Sequence, residues 1–166
     1  MNKLKIVIVN PKYCSYLRKY DSKVIYNSGN KINRPFVGVL FEVNQFKYFA
    51  PLASPKEKHL KMNNTIDFMK IDRGKMGAIN FNNMIPLKDN VYTIINLQRK
   101  INSIEELKYQ KLLIEQYLWL NAHYIQVCDK AKKLYEFYNK DRLDKKIKQR
   151  CCNFKMLEDI CTYFEA

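Results

Sequence analysis

The run Ser54-Pro55-Lys56-Glu57-Lys58-His59 gathers a hydroxyl, two ammonium groups and an imidazole into one short segment. A serine hydroxyl can hydrogen-bond a phosphate oxygen, and a lysine can neutralise charge on it. Histidine is the side chain that exchanges protons near neutral pH. On a loop at the mouth of a sheet, Ser54 and Lys56 can grip or cleave a phosphodiester. The same letters also have a structural reading, in which Ser-Pro turns the chain. Lys56 then positions a phosphate without entering the chemistry, and His59, at the start of a helix, holds the loop by hydrogen bonds. No carboxylate cluster, HExxH word or paired CxxC accompanies them, so neither a metal nor another cofactor is expected.

These residues must be delivered by the stretch Phe46 to Leu87. Its first residues alternate, with Phe46, Tyr48 and Ala50 on one face and Lys47 and Phe49 on the other, which is strand periodicity. The strand is expected to end near Pro51, with Ala53 to Lys56 as a polar loop and Lys56–Met62 as a short helix. Upstream, Leu4–Val9 reads as a strand. Asn10-Pro11 offers a cap and a first-turn proline for a helix over Lys12 to about Asp21. Tyr13, Tyr16, Leu17 and Tyr20 form its core-facing stripe. Ser22 to Asn33 is a polar loop, with turn chemistry in Asn27-Ser28-Gly29-Asn30. It is long enough to close over a ligand. Phe36–Val43 reads as an apolar strand joined by an Asn44-Gln45 turn to the strand at Phe46. Asp67–Ile71 and Lys75–Ile79 pair about Asp72-Arg73-Gly74, and Val91–Leu97 is a further strand.

Composition then turns helical. Ser103, three residues before Glu106, starts a capping box. Leu107, Leu112, Leu113, Tyr117, Leu120 and Tyr124 continue at helical spacing, giving a helix pair of roughly 35 residues broken near Asn121–Asp129. Asn139 to Arg150 is a linker or a basic helix face, and Phe154–Phe164 is a closing helix. His123 is read as structural. The fold class is α+β. We expect a compact, highly twisted, antiparallel, barrel-like sheet with surrounding helices and a helical C-terminal half. Residues 1–166 form a single domain.

Thirty Lys+Arg against sixteen Asp+Glu leave a net charge of +14. Part of that excess is ordinary solvated lysine, but a small protein so charged repels itself, and the charge points to a polyanion. Lysines interleaved with Tyr and Phe favour nucleic acid over a membrane, because aromatic rings stack on bases. Ile6–Val9 is too short for a signal peptide core or a membrane span. Five cysteines without metal-ligand spacing read as reduced thiols in a cytoplasm.

Several words, in order, carry a resemblance: "YLRKYDSKV", "RPFVGVLFEV", "YFAPLASPKEKH" and "GAINFNNMIPL", with "CNFKMLEDICTYF" near the end. They resemble the ToxN/AbiQ family of toxin endoribonucleases from type III toxin–antitoxin and phage-abortive systems, closest to its CptN branch. The resemblance implies that Ser54 is the active-site serine and that Arg34, in "NRPF", is an electrostatic basic residue. Lys31 is a nearby candidate for proton transfer. Tyr26 and Asn30 compete for the position of a loop tyrosine. Ala53 stands where some members have threonine, so that hydroxyl is not essential to this chain.

Such an enzyme uses the RNA 2′-hydroxyl as nucleophile and leaves a 2′,3′-cyclic phosphate without a metal. Candidate RNA-binding residues are His59, Lys58 and Lys61, together with Lys145, Lys146 and Lys148. Asn80, Asn82 and Asn83 either read a base edge or form turns. Family likeness further implies a small structured antitoxin RNA, processed by the toxin and filling its active site. It also implies cellular and phage RNA substrates and a closed protein–RNA hetero-oligomer in the cytoplasm. A non-catalytic RNA-binding module and a helix-based DNA-binding regulator are the competing readings.

Overall fold

The computed structural model describes residues 3–26 and 33–166. The Asn27–Asn30 turn and Lys31 lie outside the described residues. Strand β1 (Lys5–Val9) leads through the Asn10 cap into helix α1 (Pro11–Arg18), where Asn10 Oδ1 accepts the Lys12 N–H at 2.9 Å. Strands β2 (Pro35–Gly38) and β3 (Glu42–Val43) follow, then β4 (Phe46–Ala53) and the short helix α2 (Glu57–Lys61). Strands β5 (Phe68–Lys70), β6 (Ala78–Asn80), β7 (Ile85–Leu87) and β8 (Tyr92–Ile94) complete the sheet. Helices α3 (Ile104–Ala122), α4 (Tyr124–Asn139), α5 (Lys145–Arg150) and α6 (Phe154–Cys161) make the C-terminal half. Among the described residues no helix is long and apolar enough to cross a membrane.

Every pairing is antiparallel, and β4 is the hub. Its first half pairs with β3 (Val43↔Phe46) and β7 (Tyr48↔Pro86). Its second half pairs with β2 (Val37↔Ala50) and β6 (Ala53↔Ala78). Asn44 and Gln45 both adopt left-handed backbone, with φ 47° and 71°, as a two-residue hairpin requires.

Several expectations shift. β4 runs through Pro51 to Ala53, because β2 pairs with it up to Pro51 and β6 carries the pairing on through Leu52 and Ala53. The expected Phe36–Val43 strand is two strands, β2 and β3. Strand β7, with Pro86 at its centre, went unread because proline argues against a strand. α1 ends at Arg18, so Tyr20 falls in the turn beyond it and is 53% exposed. Leu107, on the first turn of α3, is also 53% exposed. The strand path runs β5-β6-β4-β2-β1-β8 and branches at β4; no pairing joins β5 to β8 among the described residues, so the sheet is open and not a barrel.

The helices bind the sheet through polar as well as apolar contacts. Tyr48 of β4 and Tyr135 of α4 both donate to Glu158 Oε1 on α6, each at 2.6 Å, in the buried core. Tyr13 donates to the Pro86 carbonyl and Tyr16 to that of Ile160. His123 ends α3; its ring stacks on Trp119 with centroids 3.9 Å apart, consistent with a structural role. The five cysteines are all free thiols.

Arg150, at the end of α5, forms a fork with Asp67: Nε to Oδ2 at 2.6 Å and Nη2 to Oδ1 at 2.9 Å. The Asp67 side chain is only 1% exposed, and Thr65 donates to it as well. Burial pushes its carboxyl up, but the hydrogen bonds from Arg150 and Thr65 and the guanidinium charge outweigh burial and hold it below the usual carboxylate range. Arg150 therefore serves the fold, unlike the solvated Lys145 and Lys146 beside it.

Removing Arg150 strands a buried carboxylate. Arg150→Ala should cost about 3 kcal/mol, the low end for a broken buried pair, since Arg150 itself is half exposed. A depressed carboxyl contributes stability above its unfolded pKa and loses it as pH falls through the folded value. Urea melts from neutral pH into the acid range should therefore show a shallower acid loss for Arg150→Ala than for the parent chain. Parallel acid limbs would show that the pair does not set that dependence.

Candidate active site

Ser54 follows the last paired residue of β4, so the sheet fixes where its backbone begins. A second support comes from the turn between β5 and β6. Gly77 has φ +90°, and a Cβ there would stand 1.9 Å from the Ala53 carbonyl oxygen. Only glycine permits that approach. Gly74, at φ +93°, meets the His59 carbonyl, where a Cβ would lie at 2.6 Å. The turn thus touches both ends of the segment Ala53 to His59. Helix α3 holds the turn in place: buried Gln116 donates Nε2–H to the Met76 carbonyl at 2.9 Å.

His59 is 2% exposed, and its Nδ1 accepts the Lys56 N–H at 3.2 Å. This places the proton of a neutral ring on Nε2. Burial pushes the imidazole below its ordinary value, and the charges of Lys58 and Lys56 add to the effect. Its observed contact is the one that holds the loop.

A cleft of about 500 Å³ opens above Ser54. Ser54, Lys56 and Lys58 come from the loop and α2, Arg34 from just before β2, Asn80 from β6 and Tyr109 from α3. Leu52, Met62 and Phe68 give it apolar wall. Burial lowers the half-buried Arg34 guanidinium from its ordinary value, although arginine stays charged. Among the described residues none of Arg34, Lys56 and Lys58 forms an ion pair with a carboxylate. Three cations without carboxylate partners among the described residues, beside an exposed hydroxyl, can neutralise a phosphate group.

Other candidates lie elsewhere. Lys61 pairs with Glu57 at 3.7 Å on the surface of α2 and does not line the cleft. Asn82 donates to the Arg150 carbonyl at 3.3 Å, and Asn83 to that of Lys23 at 2.8 Å. Both amides thus tie distant segments together, and only Asn80 of the three reaches the cleft. Tyr26 is exposed beneath the Arg18 guanidinium, 5.5 Å from its ring centroid, outside the cleft lining. Lys145, Lys146 and Lys148 sit on α5, with Lys148 paired to Asp141 and set over the Tyr138 ring. Tyr109 and Asn33 were not foreseen. Tyr109 is an aromatic residue off the buried stripe of its helix, the one signal that would have marked it.

Residues 5–162 match the family model described as toxin ToxN of type III toxin–antitoxin systems. The chain is 30% identical over 165 residues to the endoribonuclease ToxN of Bacillus thuringiensis subsp. kurstaki, covering 97% of this chain and 84% of that protein. It is 28% identical over 173 residues to the endoribonuclease AbiQ of Lactococcus lactis subsp. lactis, covering 97% and 89%. Among solved structures, one on selective toxin inhibition by a non-coding RNA pseudoknot superposes with TM-score 0.81 at 30% identity, over 98% of each chain. The lactococcal anti-phage endoribonuclease AbiQ superposes with TM-score 0.80 at 26% identity, also over 98% of each.

The loop itself should respond to acid. Unfolded, His59 protonates near the ordinary value of 6.5, whereas folded it does so only at lower pH. Its share of stability is complete above the unfolded pKa and is lost as pH falls through the window between the two. NMR titration should find His59 below 6.5 with the proton on Nε2, and His59→Ala should cost about 1–3 kcal/mol by leaving the Lys56 N–H unpaired. A midpoint above the ordinary histidine value would contradict this account.

Proposed function

The chain belongs to the ToxN toxin family of type III toxin–antitoxin systems, and from that premise we propose that it is an endoribonuclease cutting RNA at the Ser54 cleft. The observation that carries the reading is the convergence of Arg34, Lys56 and Lys58 on Ser54 without carboxylate partners among the described residues.

RNA brings its own nucleophile. The 2′-hydroxyl attacks the neighbouring phosphorus, the bond to the 5′-oxygen breaks, and a 2′,3′-cyclic phosphate and a 5′-hydroxyl result. Charge grows on the phosphoryl oxygens in the transition state, where fixed cations stabilise it most. Arg34 is permanently charged and acts electrostatically. Lys56 neutralises the phosphorane-like charge or donates to the leaving oxygen. Ser54 holds a phosphate or 2′-oxygen through its hydroxyl. Lys31 remains the candidate for proton transfer. His59 lines the cleft and holds the loop through its bond from the Lys56 N–H. The cations supply the charge stabilisation, so the reaction proceeds without a metal. Asn80 and Tyr109 contact the RNA bases.

The proposed antitoxin is a small structured RNA, as in the pseudoknot-inhibited relative. It is cut by this chain, then occupies the cleft and builds a closed protein–RNA hetero-oligomer in the cytoplasm. Free of it, the chain cuts cellular and phage RNA. Lys145 and Lys146 on α5 offer antitoxin contacts away from the cleft.

Ser54→Ala should fold normally, lower cleavage of a short RNA by about 10²–10³, and relieve growth inhibition. A single 2′-deoxyribose at the cleaved position should block the reaction, whereas a chelator should not. Full toxicity of a well-expressed Ser54→Ala chain, or rescue of chelated enzyme by Mg²⁺, would refute the mechanism. Gly77→Ala should displace Ser54 and reduce the rate about 100-fold. Its wild-type rate at equal folded fraction would show that the turn does not position the serine.

A further inference from the structure

The cleft does not end at Tyr109. A second compartment of about 420 Å³ lies beyond it, and both Tyr109 and Asn33 line the two spaces. Their character differs. Around Ser54 the charged groups are Arg34, Lys56 and Lys58, which among the described residues have no carboxylate partner. In the second compartment the walls are Ile94, Ile95, Ile101 and Leu113, and its one arginine, Arg99, pairs with Glu106 at 3.8 Å.

The second compartment is also built. Gln110 Nε2 donates to the Arg99 carbonyl at 2.7 Å, tying the segment after β8 to helix α3. This leaves the Gln110 amide oxygen as an acceptor. Asn96 Oδ1 takes the Gln98 N–H at 3.0 Å, which leaves the Asn96 amide hydrogens as donors. Apolar walls with one amide donor and one acceptor at the margin match a flat ring system with a polar edge. Arg99 and Glu106 sit on the lining as a pair of opposite charges, so the compartment carries no net charge to favour an ionic group.

We propose that this compartment seats the base of a nucleotide flanking the scissile phosphate, with the Tyr109 ring as its stacking platform. The inference rests on the ribonuclease reading and deepens it. The strand lays its phosphate among the cations and turns its neighbouring base across Tyr109 into the neutral space. Tyr109 is 41% exposed and lines both spaces, which leaves it accessible to a base. Bases stack on aromatic side chains irrespective of sequence, and amide groups at the base edge add preference.

The test uses a short single-stranded RNA with one cleavage position, and a non-cleavable copy with 2′-deoxyribose there. Each nucleotide flanking the cleaved bond is replaced in turn by an abasic ribose. At one position the abasic change should lower both kcat/KM and the affinity of the non-cleavable copy by about 10- to 100-fold. That penalty should vanish in Tyr109→Ala and persist in Tyr109→Phe, which keeps the ring. Thr93→Trp, which fills the compartment from its β8 side, should mimic the abasic penalty on intact RNA, with an unchanged melting temperature. If no abasic position matters, or if the penalty survives in Tyr109→Ala, the base binds elsewhere and the compartment is not its seat. Cleavage without base dependence overturns the compartment alone. Base-dependent binding of the copy without cleavage of any RNA overturns the ribonuclease reading and leaves the compartment standing.

Discussion

Backbone pairing of β4 on both edges is the constraint from which the rest of the molecule follows. An eight-residue strand takes four partners, two along each side. Its amides and carbonyls are thereby largely committed, and its burial on both faces leaves little freedom to shift. Residue 54 is the first to leave this arrangement. A hydroxyl on an exposed loop would ordinarily wander; here the loop is anchored by a saturated strand at one end and by a buried histidine at the other. The β5–β6 turn closes the space beneath. Rigid support around an exposed reactive group is what a positioned catalyst needs.

Basic residues differ in their surroundings. Lys47, Lys148 and Arg150 have carboxylate partners within 4 Å and contribute to the fold or its surface. Arg34, Lys56 and Lys58 line one cleft and, among the described residues, have no such partner. The net charge of +14 describes a general attraction to polyanions, which steers encounter. The three that line one cleft mark where the attraction becomes local. Composition alone does not separate the two.

Local chemistry was the legible part of the sequence. Asn10-Pro11, Asn44-Gln45 and Ser103 each specify a backbone geometry through their own side chains or dihedral freedom, and each stands where it was expected. Likeness to a family pointed to Ser54 and Arg34, and the structure brings both to one cleft. What escaped was set by distant neighbours. Proline 86 argues against a strand until β4 is seen to pair with it. Asn82 and Asn83 carry the same amide whether the acceptor is a base or the carbonyl of Arg150 or Lys23. Arg150 looks like one more surface cation until Asp67, 83 positions away, is found beside it. Tyr109 and Gly77 matter because α3 and a turn meet the loop in space, which no spacing rule encodes.

The Asn121 amide grips the backbone of Leu4 from both sides, accepting from its N–H at 2.8 Å and donating to its carbonyl at 3.2 Å across 117 positions. On a ribosome, chain growth is vectorial. Ser54 emerges long before Gln116 and Tyr109, and β1 waits for both β8 and Asn121. The cleft therefore does not exist on a half-made polypeptide; it is assembled when α3 docks. Such long-range closure slows folding. On a growing chain the turn beneath Ser54 is present early, but it is tied down only once Gln116 of α3 reaches the Met76 carbonyl.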